Sequence, residues 1–175
     1  MKFKENRTLA WILVIVIMIT SVLISGYVSL SSQKKKVLNS FYDTMDNDLN
    51  TKSSYADNLA GIASRYLDSN SKYITDMSKA RNMLLEAENP QEKYVASVNI
   101  TNAASAIYDV LGTMELTSTD DRLRRSNYAD ILAVDDILRR SDFNKNVDEF
   151  NEELDKFPAS IISALTNIEK ADYFR

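Results

Sequence analysis

The chain has no cysteine and no histidine among its 175 residues, and only three glycines and two prolines. Without cysteine there is no disulfide framework, no thiolate nucleophile and no thiolate metal site. Without histidine, Ser-His and Cys-His catalysis, imidazole bases and the usual zinc ligand sets are excluded. The Glu-x-x-His pair of carboxylate di-iron bundles is excluded as well. So little glycine and proline leaves little material for tight turns or sheets. No GxGxxG or GxxxxGK[ST] stretch is present to cradle a phosphate, so no nucleotide is expected. Carboxylates, Lys, Tyr, Ser and Thr remain for chemistry. No cofactor and no metal are expected, and no enzymatic activity.

The formal charge of -4 is unevenly spread. The first 36 residues hold six basic side chains and one acid, so the acidic excess lies wholly in the rest. A domain that acidic should repel nucleic acid.

Leu9 to Leu30 is 22 residues without a charge. As a helix at ~1.5 Å per residue the run is long enough for a hydrocarbon core. Trp11 and Tyr27 lie near its ends, where aromatic rings suit the interface. Lys2, Lys4 and Arg7 precede it, and Lys34, Lys35 and Lys36 follow it. The rival reading is a cleaved signal peptide, with Ser29-Leu30-Ser31 as its cleavage site, but the run is longer than the usual apolar region. The chain therefore divides into a short polar segment (1–8), a transmembrane helix (9–30), a basic juxtamembrane stretch (31–36) and a helical domain (37–175). Lys34, Lys35 and Lys36 are the candidate contacts to anionic headgroups. Three basic residues on each side leave orientation undecided by charge.

The rest reads as amphipathic helix. Tyr55, Leu59, Ile62, Tyr66, Tyr73, Met77, Ala80 and Leu84 step by three, four and seven. Two polar gaps, near Ser53-Ser54 and Asp68–Ser71, are candidate bends. Asn89-Pro90 stops this helix, and Pro90 suits the first turn of the next. Ala96, Ile100, Ala103, Ile107, Val110 and Met114 mark the third segment, which gives out near Gly112 to Thr119. The run LTSTDD offers caps with acids in the following turn. A fourth segment is expected from about Asp120 to Phe157, ended by Pro158, with a short last helix after it. No stretch alternates with period two. The expected fold is all-α: one N-terminal transmembrane helix, then an elongated antiparallel four-helix-type bundle with a lead-in helix from about Val37.

Few residues suggest chemistry. The adjacent acids Asp120-Asp121 point about 100° apart on a helix and read as charges at a helix start. Asp135-Asp136 reads as solvated surface. Arg122, Arg124 and Arg125 could meet phosphate, but ion pairs with nearby acids are the plainer reading. Asn6-Arg7-Thr8 and Asn99-Ile100-Thr101 match the glycosylation sequon, which matters only in a eukaryotic secretory pathway. Asp142, Asn144, Asn146, Asp148 and Glu153 fall at places 1, 3, 5, 7 and 12 of a calcium loop. Place 6, however, is Val147 rather than glycine. Phe143, Val147, Phe150, Leu154 and Phe157 step by four and three, so the stretch reads as the packing face of a helix.

The same ending carries a resemblance. Phe143-Asn144, Val147, Phe150-Asn151, Phe157-Pro158 and Tyr173-Phe174, with Arg140 ahead of them, are similar to the carboxyl-terminal motif of the LemA family. Upstream, Leu49, Lys52, Tyr55, Asn58, Leu59 and Tyr66 match that family's spacing, and Ala80-Arg81 matches its Ala-Arg. The resemblance covers about residues 37–174. Asp57 stands in place of its proline, Leu132-Ala133 in place of a Thr-Glu, and Asn167 in place of a glycine. A contact from that glutamate to a basic partner would be missing here. The resemblance implies a bacterial membrane protein with a helical-bundle domain, the short amino terminus outside and the bundle in the cytoplasm. It implies no defined enzyme activity.

Two functions are expected to compete. The first is a single-pass membrane-anchored bundle that acts as an interaction or scaffolding module, with the bilayer and another protein as partners; a homo-oligomer is compatible with it. The alternative is an extracytoplasmic sensory or ligand-binding bundle. It would signal through a partner protein, because the chain reaches Arg175 without a second membrane-length run.

Overall fold

The computed structural model describes residues 7–175. Lys2, Lys4 and Asn6, with most of the expected 1–8 segment, lie outside the described residues. The elements run α1 (Arg7–Ser40), a π-helical turn (Phe41–Met45), α2 (Asp46–Ala63), α3 (Lys72–Glu86), α4 (Pro90–Leu111), α5 (Ser118–Arg139), α6 (Phe143–Asp155) and α7 (Ala159–Thr166). No strand occurs among the described residues. The expected all-α class, with one long apolar N-terminal helix, holds.

The described residues form two compact units. One takes the chain up to Leu38 together with Asn146–Ala171; the other takes Asn39–Lys145 with Asp172–Arg175.

The second unit is the bundle. Ion pairs fix its directions: Lys52 with Asp135 and Arg65 with Asp120 run α2 and α5 antiparallel. α2 packs on α5 and α4, and α3 packs on α4. Leu49, Leu59, Ile62, Met77, Ile100, Ile107 and Ile131 are almost wholly buried. Burying such a side chain contributes roughly 1.5–3 kcal/mol each, which is why the stripes, rather than helix propensity, hold the bundle.

Of the two candidate bends, Asp68–Ser71 falls in a real break between α2 and α3 and Ser53-Ser54 does not. α2 stops at Ala63, where Ser64 to Leu67 close turn hydrogen bonds before α3 begins. The expected helix from Asp120 to Phe157 is two, α5 and α6. The backbone N–H of Phe143 bonds the hydroxyl of Ser141 at 3.2 Å, so serine serves the new helix start. At α4 the expected start is observed. Asn89 Oδ1 accepts from Glu92 N–H at 2.9 Å, Glu92 Oε2 accepts from Glu88 N–H at 2.8 Å, and Pro90 opens the helix. Thr117 caps α5, accepting from Asp120 N–H at 3.1 Å. Asp57, in the proline's place, lies within unbroken α2 and pairs with Arg81.

In the first unit α1 carries the apolar run, and α7 lies beside it. A Cβ on Gly26 would stand 2.2 Å from Cδ1 of Ile162. Glycine is what admits that close approach. α7 ends on Asn167 at φ 53°, ψ 38°. The left-handed position explains why the resemblance has glycine there and why asparagine serves. The Phe157–Pro158 peptide is cis.

Candidate functional site

Among the described residues Lys52 is the one buried lysine, with a fully buried side chain. It occupies a stripe position, between Leu49 and Ala56 on α2, where the helix period demands burial. Its ammonium has three donors. One bonds the carbonyl of Ser97 and one the hydroxyl of Ser97, each at 2.8 Å; the third bonds Asp135 Oδ1 in an ion pair. The other carboxylate oxygen of Asp135 accepts from Thr101 at 2.7 Å. Ser97 and Thr101 lie one turn apart on α4, so three helices meet at one cation. Burial pushes the Lys52 pKa below its ordinary value, and the hydrogen bond and charge of Asp135 oppose that shift.

Asp135 thus corrects the expectation of a solvated surface acid. It also supplies an interhelix contact of the kind expected to be missing with Leu132-Ala133. Asp136 is paired too, with Arg139 and Arg140.

The Asp135 side chain is one-third exposed and opens into a cleft of about 410 Å³. Tyr94, Thr101, Arg139, Asn144, Phe174 and Arg175 are among its lining residues. The C-terminal tail therefore forms one wall. Asn144 holds that wall: its Nδ2 donates to the carbonyl of Phe174 at 2.9 Å, and its Oδ1 accepts from Phe174 N–H at 2.8 Å. The Phe174 ring lies 5.3 Å from Tyr94 and 5.7 Å from Phe41, and Phe41 lies 5.0 Å from Phe143. Phe41 and Met45, four residues apart on the π turn, are both buried. Chemically, the cleft offers a carboxylate, two guanidiniums and an aromatic wall. Lys52 itself has every donor occupied and no surface, so it orients Asp135 rather than reaching into the cleft.

A second polar network sits at the far end of α2. Asp120, buried, accepts from Tyr66 at 2.7 Å and from Arg65 at 2.6 Å. The Tyr66 hydroxyl in turn accepts from Thr117 N–H at 3.2 Å. Tyr66's hydrogen bond, more than any other influence, holds the Asp120 carboxyl below its ordinary pKa. Arg124 and Arg125 both pair with Asp121, and Arg124 lies over the Tyr108 ring at 4.2 Å.

A family model described as the LemA family matches residues 42–175. The chain belongs to the LemA family. No curated protein matches it.

The LemA motif residues have separable places. Leu59 and Ala80 are core, and Arg81 binds Asp57 and, at 3.3 Å, Ser53. Phe143, Val147 and Phe150 are buried on α6. Asn151 repeats the role of Asn144, with Nδ2 to the Ala171 carbonyl at 3.0 Å and Oδ1 from Ala171 N–H at 2.8 Å. Tyr173 is half-buried, with Arg175 over its ring at 3.9 Å. Phe157 departs from its expected packing role. α6 ends at Asp155, two residues short of it, and the Phe157 ring is 81% exposed. Pro158 follows, immediately ahead of α7. The calcium-loop residues after Asp142 are helix from Phe143 onward, which no loop around an ion could be. Lys34, Lys35 and Lys36 lie on α1. The LemA residues that sequence reasoning missed are Asp135 and Thr101. A lysine inside an apolar stripe was the available signal that some acid must face it.

Proposed function

We propose that the chain is a single-pass membrane-anchored helical bundle that works as a non-catalytic interaction module, holding a protein partner at a membrane surface. The observation that carries this reading is α1. Its apolar side chains are exposed along the run, Trp11 at 68% and Ile24 at 59%. That much apolar surface is costly in water and at home in hydrocarbon. Two hydroxyls of the run are already satisfied: Thr20 and Ser21 bond the carbonyls of Val16 and Ile17, each at 2.8 Å. Lys34, Lys35 and Lys36 then suit anionic headgroups. The paired state of Lys52, Asp135 and Asp120 supports a structural use of the buried charges. Affinity capture of the full chain from detergent-solubilised membranes tests the reading. A specific, stoichiometric protein is expected, and recovery of none overturns it.

The cleft beside Asp135 favours the second reading, a ligand-binding bundle outside the membrane. Protease treatment of intact cells separates the two. Protection of the bundle fits the cytoplasmic reading, and cleavage from outside overturns it.

A further inference from the structure

Phe157 and α7 together carry an exposed apolar face. Phe157, Ile161 and Leu165 recur every fourth position and are 81%, 51% and 66% exposed. Their neighbour Ile162 is buried, and it is the residue against Gly26 of α1. Beside that contact lies an open groove of about 400 Å³, lined by apolar residues that include Met18 and Val22 of α1 with Phe157 and Ile161.

We propose that Phe157 and α7 insert among the acyl chains of the bilayer alongside α1, as a lipid-contacting wedge. The inference rests on the membrane reading of α1. The α1 residues that line the groove or meet Ile162, from Met18 to Gly26, lie inside the uncharged Leu9–Leu30 run. A bilayer that covers that run must therefore also reach the exposed side of α7. The first turn of α7 bonds several of its N–H groups internally, and an unpaired N–H is costly in such a medium. Ser160 N–H bonds Lys156 O at 2.8 Å, and Ile161 and Ile162 N–H bond Pro158 O, each at 3.2 Å. Pro158 has no N–H to satisfy. The hydroxyls of Ser163 and Thr166 are bonded to the carbonyls of Ser160 and Ile162 at 3.1 and 2.7 Å. Lys170 pairs with Asp155 at 2.8 Å, and Lys156 has a long stem that can reach headgroups.

The chain has one tryptophan, Trp11, so depth can be read by fluorescence. The full chain is reconstituted in phosphatidylcholine vesicles with brominated acyl chains, as the native protein and as Phe157→Trp in a Trp11→Phe background. The introduced tryptophan is expected to be quenched at least twofold by the brominated lipid and little by aqueous iodide. Quenching by iodide and not by lipid, with native Trp11 still quenched by lipid, overturns the wedge and leaves the anchor standing. Shielding from both quenchers means that protein, such as a second copy, covers the face, and also overturns it. Loss of lipid quenching at Trp11 itself overturns the anchor and the wedge together. Leu165→Trp in the same background, on the same face, gives an independent reading if the first variant does not fold.

Discussion

Asn151 and Ala171 are joined by two hydrogen bonds, the side-chain amide of one meeting both backbone groups of the other at 3.0 and 2.8 Å. Asparagine here does what a neighbouring strand would do, and it does so from a helix. Its side chain is buried, so neither Ala171 group can turn to water instead. Asn151→Ala is expected to destabilise the chain by about 2–4 kcal/mol, read from denaturant unfolding. Asn144→Ala, at a half-buried site, should cost less. Equal and negligible effects would remove the tail clamp from the account.

The Lys52–Asp135 pair is asymmetric, because the lysine is fully buried and the aspartate one-third exposed. Removing the acid strands a cation without solvent; removing the lysine leaves a carboxylate that reaches water and keeps Thr101. Asp135→Asn should cost roughly 3–5 kcal/mol and Lys52→Met roughly 1–2 kcal/mol. The reverse order in thermal or urea unfolding would refute the assignment.

The same pair gives an alkaline signature. Lys52 binds its proton less tightly when folded than when unfolded, chiefly through burial. The unfolded chain therefore holds more protons, and stability rises with pH between the lowered folded value and the ordinary one near 10.4. Asp135→Asn removes the charge that raises the lysine's pKa and weakens the hydrogen bond, so this rise should begin at lower pH and grow in total. Stability that is flat with pH in that variant would contradict it.

Asp120 acts at the other end of the scale. Its carboxyl is held low first by Tyr66, then by Thr117 and Arg65 against the effect of burial. Its contribution is present above the ordinary carboxylate range and is lost as pH falls through the lowered folded value. Tyr66→Phe should move acid unfolding to higher pH and lower the Tm by roughly a few degrees at neutral pH. An unchanged acid limb would separate Tyr66 from Asp120.

Gly26 and Ile162 should be coupled. The atom that a Cβ would strike, Ile162 Cδ1, is the tip of a flexible side chain, so Gly26→Ala is expected to cost only about 1 kcal/mol. Ile162→Val deletes that atom and leaves the next nearest at 3.4 Å. A double-mutant cycle should show the pair less harmful than the sum of the singles. Strict additivity would mean that α7 does not rest on Gly26.

Much of this architecture was legible because helix period and apolar spacing are local properties. Ala96, Ile100, Ala103 and Ile107 each went where their spacing sent them. Boundaries were less legible. The break in the stripe from Tyr55 to Leu84 includes one polar gap, Asp68–Ser71, while the other, Ser53-Ser54, is unbroken helix, so a polar gap by itself does not tell a turn from a solvated face. Phe157 continued a stripe in sequence after its helix had ended.

The sequence by itself determined that the chain is all-helical, that one uncharged run is long enough for a bilayer, and that two aromatic-asparagine pairs mark its family. Those follow from composition and from contacts within a few residues. Only the tertiary structure decided what the pairs are for, and which acid faces Lys52. Asn144 with Phe174 and Lys52 with Asp135 lie 30 and 83 residues apart. A hydrogen bond at that separation depends on where whole helices come to rest, and no local rule of spacing carries that information.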